Sequence, residues 1–117
     1  MAATHVFAGV PVADIADARA WYERLLDRAP DLVPNASEAA WRVTDSGWIC
    51  LIADPDHAGS SMHTVLVEDL DDLVAGLRHR GLAPSAIETM PGAARTSTIA
   101  DPDGNRLQFG QPIAPDD

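Results

Sequence analysis

Few side chains in this sequence are equipped for chemistry, and their spacing decides which kind. His5, His57, His63, His79 and the single cysteine, Cys50, are the groups able to ligate a transition metal through nitrogen or sulfur, or to attack an electrophile. A metal centre needs several such ligands converging, and a thiol nucleophile needs a base beside it. His57 falls in a stretch of linker composition, and His79 on the outer face of a helical segment. His63 alternates away from Met62 in a strand-like run. His5 lies two residues from Phe7, about 6–7 Å along a strand. No histidine comes beside Cys50, which reads as a small buried hydrophobe. Asp101 and Asp103 flank Pro102 and precede Gly104, so they read as turn formers, not as an acid–base pair. Gly92 and Gly104 stand alone, with no phosphate-cradling motif around them.

The elements that carry these groups follow from periodicity and punctuation. Residues 4–10 form an apolar strand-like run. Asp14 caps a helix in which Ile15, Ala18, Tyr22, Leu25 and Leu26 recur at helical spacing, with Trp21 and Tyr22 packing it onto the sheet and an end near residue 29. Strands are expected over 31–34, 38–44 and 48–53, the last two joined by Asp45-Ser46-Gly47. A polar segment, 54–61, leads to a strand over 62–67 and a second helix capped by Asp69 and stopped at Gly81. Strands over 86–90 and 95–100 follow. Asp101-Pro102-Asp103-Gly104-Asn105 then turns the chain into Arg106-Leu107-Gln108-Phe109 as a hairpin. Residues 112–117 form a polar tail.

Strand, helix and three strands therefore occur twice. Val12-Ala13-Asp14-Ile15 and Val67-Glu68-Asp69-Leu70 mark the same strand-to-helix junction at a constant offset, which sets Phe7 against Met62. Neither half buries its sheet face alone. The expected fold is α+β: one domain over 1–117, with βαβββ modules at about 4–53 and 62–111. The modules pair as a curved mixed sheet, with one helix each on the convex face and a concave cleft opposite.

Composition narrows the function. A formal charge of −10, with arginine as the only basic residue, argues against nucleic acid and suits a cationic guest. No apolar run spans a bilayer, and no basic-then-apolar leader opens the chain, so a cytoplasmic location is expected and no membrane partner. A lone cysteine excludes an intrachain disulfide.

The paired junctions, Trp21-Tyr22 and the Asp-Pro-Asp-Gly-Asn turn resemble the vicinal oxygen chelate superfamily, which includes glyoxalase I, extradiol dioxygenases, fosfomycin-resistance transferases and bleomycin-resistance proteins. The resemblance covers about residues 4–111. It implies metal ligands at three positions: a His on the first strand, a His on the fifth and a Glu just past the turn. Here those positions hold Phe7, Met62 and Gln108. An aromatic ring, a soft thioether and a neutral amide do not make a site for a hard dication, so no metal or other cofactor is expected. Trp48-Ile49-Cys50-Leu51 further resembles the fourth strand of the fosfomycin-resistance transferases, where the matching Trp lines the cleft; alternation then puts Trp48, Cys50 and Ile52 on the concave face.

The resulting expectation is a metal-independent small-molecule binding protein of the bleomycin-resistance type. It would hold an aromatic or cationic ligand with Phe7, Trp48, Cys50 and Met62 as the apolar wall, and Thr98 and Gln108 as polar contacts. The alternative is a glyoxalase-like isomerase, lyase or thiol transferase with rearranged or absent metal ligands. For proton transfer that alternative would draw on His5. Modules of this kind pair within one chain or are exchanged between two, and the resemblance implies a homodimer.

Overall fold

The computed structural model describes residues 1–113. The elements are β1 (Val6–Val12), α1 (Ile15–Leu26), β2 (Leu32–Asn35), β3 (Glu38–Arg42), β4 (Gly47–Ala53), β5 (Met62–Leu66), α2 (Leu70–His79), β6 (Glu88–Met90), β7 (Ala94–Ala100) and β8 (Arg106–Pro112). The βαβββ order occurs twice, as expected. Hydrogen bonding closes within each half, giving two four-stranded mixed sheets ordered β1-β4-β3-β2 and β5-β8-β7-β6. In each sheet the first strand runs parallel to the last, and the other pairs are antiparallel. By its contacts the chain divides into two compact units: Met1–Ser61 together with Asp101–Asn105, and the remainder.

Both helices begin where the sequence places them. Asp14 Oδ1 accepts from the Asp17 N–H at 2.9 Å, and Asp69 Oδ1 from the Asp72 N–H at 3.0 Å, each satisfying a donor of the first turn. The ends differ from expectation for local reasons. Helix α1 stops at Leu26, short of residue 29, because Asp27 turns left-handed (φ 58). Strand β1 runs through Pro11 to Val12, and the missing N–H is tolerated because β1 is an edge strand. Strand β3 ends at Arg42, two residues early, because the Val43 and Thr44 N–H groups both turn to the Gly47 carbonyl. Strand β6 is reduced to Glu88–Met90. Before it, Ser85 engages β7 irregularly: its N–H donates to the Thr98 carbonyl, while its Oγ accepts from the Thr98 N–H. Strand β8 continues to Pro112, and residues 114–117 of the expected tail lie outside the described residues.

Helix α1 buries Ala18, Tyr22 and Leu25 against β3 and β4. Trp41 lies on this side. It is fully buried, its ring stands 6.1 Å from Tyr22, and its Nε1 donates to the Arg28 carbonyl at 3.0 Å. In the second unit α2 buries Leu70, Val74 and Leu77, while Ile99, Leu107 and Phe109 are buried on β7 and β8.

Strands β7 and β8 form the expected hairpin, with Ala100 opposite Arg106. Its five-residue turn does more than reverse the chain. Asp101 is 5% exposed and Asn105 not at all. Asp101 Oδ1 accepts from the N–H groups of Asp103, Gly104 and Asn105, each at 2.9 Å. Its Oδ2 accepts from the Tyr22 hydroxyl at 2.8 Å and from Asn105 Nδ2 at 2.9 Å. Asn105 Nδ2 also donates to the Pro11 carbonyl, and its Oδ1 accepts from the Ser61 N–H and hydroxyl. Asn105→Ala leaves the Ser61 N–H and hydroxyl without their acceptor and takes one donor each from the Pro11 carbonyl and the Asp101 carboxylate. The expected loss is about 3 kcal/mol, since each orphaned polar group costs roughly 1–3 kcal/mol. A shift of the urea midpoint with an unchanged slope is the readout, and a loss below about 1 kcal/mol would show that water replaces the amide.

Candidate functional site

Each sheet has one face turned to its helix and one turned away. In the first unit Trp41 pairs with Ile49 and both are buried on the α1 side, so the opposite face carries Phe7, Trp48, Cys50 and Ile52. Register sets these in rows. Phe7 lies beside Trp48 and Arg42, Gly9 beside Cys50 and Ala40, and Pro11 beside Ile52 and Glu38. The Phe7 and Trp48 rings stack at 5.4 Å and 14°. Phe7 is 51% exposed and Trp48 half-buried, with the Trp48 indole N–H enclosed and unpartnered. Cys50, at 5% exposure, is floor rather than wall.

Glu38 is the functional group that sequence reasoning missed. Its Oε1 accepts from Asn35 Nδ2 at 3.0 Å, and its Oε2 from the Cys50 thiol at 3.6 Å. The carboxylate therefore sits over the middle row of this face. Parity could have found it: the turn after β3 keeps the even-numbered residues of β3 and β4 on one face, and 38 is even like 48. Burial, followed by the Glu38 hydrogen bond and charge, pushes the Cys50 thiol up to about 11. At neutral pH it is a protonated donor and not a thiolate nucleophile.

In the second unit Gln111 Oε1 accepts from the Leu70 N–H and Arg95 pairs with Asp71, so odd-numbered residues of β7 and β8 face α2. Gln108 and Thr98, directly opposite each other, face away with Met62 and Thr64. Thr64, a second residue that sequence reasoning did not single out, donates to Gln108 Oε1 at 3.3 Å. Met62 is 49% exposed. His63 pairs with Leu107 and so points to the α2 side, away from Met62. His5 precedes β1 and is exposed, while His57 is exposed and bound to Asp54 at 2.9 Å.

The six expected site residues thus fall on the helix-free faces: Phe7, Trp48 and Cys50 on the first sheet, and Met62, Thr98 and Gln108 on the second. The donor set does not fit a metal. The Phe7 ring is packed on Trp48, Met62 offers a thioether, and the Gln108 carbonyl already accepts from Thr64. Among the described residues no three His, Cys, Asp or Glu side chains are grouped to hold an ion. None of the described helices is long and apolar enough to cross a membrane.

Comparison with known proteins agrees with this architecture. Residues 3–109 match the profile of the Glyoxalase/Bleomycin resistance protein/Dioxygenase superfamily. The chain belongs to that superfamily. A solved glyoxalase/bleomycin resistance protein from Catenulispora acidiphila is 38% identical with a TM-score of 0.87, over 93% of this chain and 98% of that one. TnmS3, an antibiotic-binding protein from a Streptomyces species, is 26% identical with a TM-score of 0.78, over 97% and 99% of the two chains. A bleomycin-binding protein solved with bleomycin shares the fold at 19% identity, with a TM-score of 0.77 over 92% and 97%. No curated protein matches the sequence.

The Cys50 environment gives this superfamily member a signature at alkaline pH. A thiol raised from 9.0 to about 11 contributes stability that is fully present below pH 9 and lost as pH rises through 11. The stability difference between the parent and Cys50→Ala should be flat up to pH 9 and shift against the parent from pH 9 to 11. Denaturant titrations at pH 7, 9 and 11 measure it, and a flat difference throughout would place the thiol near its ordinary value.

Proposed function

We propose that this chain is a metal-independent small-molecule binding protein of the bleomycin-resistance type, which takes an aromatic or cationic guest. The observation that carries the reading is the stacked, partly exposed Phe7–Trp48 pair on a helix-free sheet face. Aromatic faces left open to solvent are the natural platform for a flat ligand, since stacking adds roughly 0.5–1.5 kcal/mol to the area buried. Cys50 floors this platform, and on the helix-free face of the second sheet Met62 offers apolar surface and Gln108 and Thr98 hydrogen-bonding groups for a ligand. That TnmS3 binds an antibiotic, and that another structure of this fold was solved with bleomycin, supports a small-molecule binding function. The reading includes assembly as a homodimer, which sedimentation measures directly.

Trp48 gives the test. The other two tryptophans are placed elsewhere: Trp41 is buried beside α1, and Trp21 lies on that helix against Tyr22. Titration with flat aromatic compounds should change tryptophan emission, and Trp48→Phe should remove most of the change while weakening binding about tenfold. Dialysis against a chelator should alter neither the melting temperature nor the titration. A chelator-sensitive titration, or a response unchanged in Trp48→Phe, would overturn the reading.

A further inference from the structure

We propose that Glu38 selects the ligand, receiving a protonated amine or amidinium carried by a flat aromatic guest that lies on Phe7 and Trp48. The inference rests on the binding function above and adds the charge and the span of the molecule bound.

Glu38 is a carboxylate on the helix-free face of the first sheet, among Phe7, Trp48, Cys50 and Ile52. It is held in place: Asn35 Nδ2 donates to one oxygen at 3.0 Å and the Cys50 thiol to the other at 3.6 Å. A carboxylate oxygen accepts two hydrogen bonds, so each retains an acceptor position beyond the contact that fixes it. The group is partly exposed while Ala40 and Cys50 beside it are buried, so a guest reaches it over an apolar floor.

Neither Arg42 nor Arg19 pairs with it. Arg42 shares the face, but it stands four residues along β3 from Glu38, and its guanidinium donates to the carbonyls of Thr44 and Asp45. Arg19 is occupied by Glu23 at 2.9 Å. A fixed carboxylate on the same face as an aromatic pair, in a chain of net charge −10, favours a cation over a neutral donor in both approach and contact.

The span follows from register. The carboxylate contacts Cys50, two residues beyond Trp48 on β4, so it stands about 7 Å along the strand from the indole. The matching guest carries its cationic nitrogen about 7–10 Å from the centre of its ring system, given side-chain reach on both sides. Arylbutylamines meet that separation and arylmethylamines do not.

The experiment compares 4-(2-naphthyl)butylamine with 4-(2-naphthyl)butan-1-ol at pH 7, by tryptophan emission and calorimetry. The parent should bind the amine at least tenfold more tightly than the alcohol, and more tightly than naphthylmethylamine. Glu38→Gln, which keeps the shape and the Asn35 contact, should bring the amine down to the alcohol's affinity. Equal affinities in the parent, or a preference that persists in Glu38→Gln, overturn the assignment. Should Glu38→Gln fold poorly, Glu38→Ala takes its place: loss of the amine preference is expected there too, and a preference that persists overturns the assignment. If amine and alcohol bind equally and Trp48→Phe abolishes both, the binding function stands and the role of Glu38 falls. If no flat aromatic compound binds, both fall.

Discussion

The buried carboxylate of Asp101 is the constraint on which the first unit depends. An ionised group taken out of water costs several kcal/mol unless its lone pairs are met. Asp101 meets the demand with three backbone N–H groups, a tyrosine hydroxyl and an asparagine amide. The consequence spreads along the chain. Tyr22 fixes the middle of α1, and Asn105 passes the constraint on to the Pro11 carbonyl near the end of β1 and to Ser61, the residue before β5. Burial and the Asp101 charge push the Tyr22 phenol up, so it stays a donor throughout the physiological range. Gly59 belongs to the same arrangement. Its φ is +86, and a Cβ there would fall 2.2 Å from the Asp103 carbonyl oxygen, so only glycine lets the segment before β5 lie against the turn.

The sequence revealed the turn but not this role. Pro102 and Gly104 act locally and mark a reversal wherever they occur, and the hairpin register of β7 and β8 follows from them. The burial of Asp101 and Asn105 depends on Tyr22, Pro11 and Ser61, which are 79, 94 and 44 residues away along the chain. No local rule carries that information. The same division explains the element ends. Caps at Asp14 and Asp69 are local and were legible, whereas the stop of α1 uses an aspartate where a glycine would have announced it. Pro11 argued for ending β1 until the sheet order made β1 an edge.

The candidate site was legible to the extent that alternation is. Phe7, Trp48 and Cys50 share a face because strand parity requires it, as do Met62, Thr98 and Gln108. Exposure was not legible, because it depends on neighbours. Cys50 and Trp48 stand on the same face two residues apart, yet Cys50 is nearly covered while Trp48 is only half so. Glu38 was missed for a related reason. An acidic residue at a strand start ordinarily reads as solvated surface; parity puts it on this face, and its hydrogen bonds to Asn35 and Cys50 make it a fixed group there.

A metal-dependent site and a stacking site place opposite demands on the same positions. A dication needs hard anionic or imidazole donors with lone pairs kept open to it, and a second layer of partners to aim them. A stacking site needs aromatic faces open and hydrogen-bonding groups prevented from collapsing on one another. At the first-strand position the chain has Phe7, already committed to Trp48 by stacking. At the last-strand position Gln108 is steadied by the Thr64 hydroxyl, which leaves its amide N–H₂ as the donating end. Near Trp48 the thiol of Cys50, kept protonated, spends its hydrogen on Glu38 and fixes the carboxylate instead of attacking a substrate. Each of these pairings holds a side chain in one arrangement, so the helix-free faces present a defined shape.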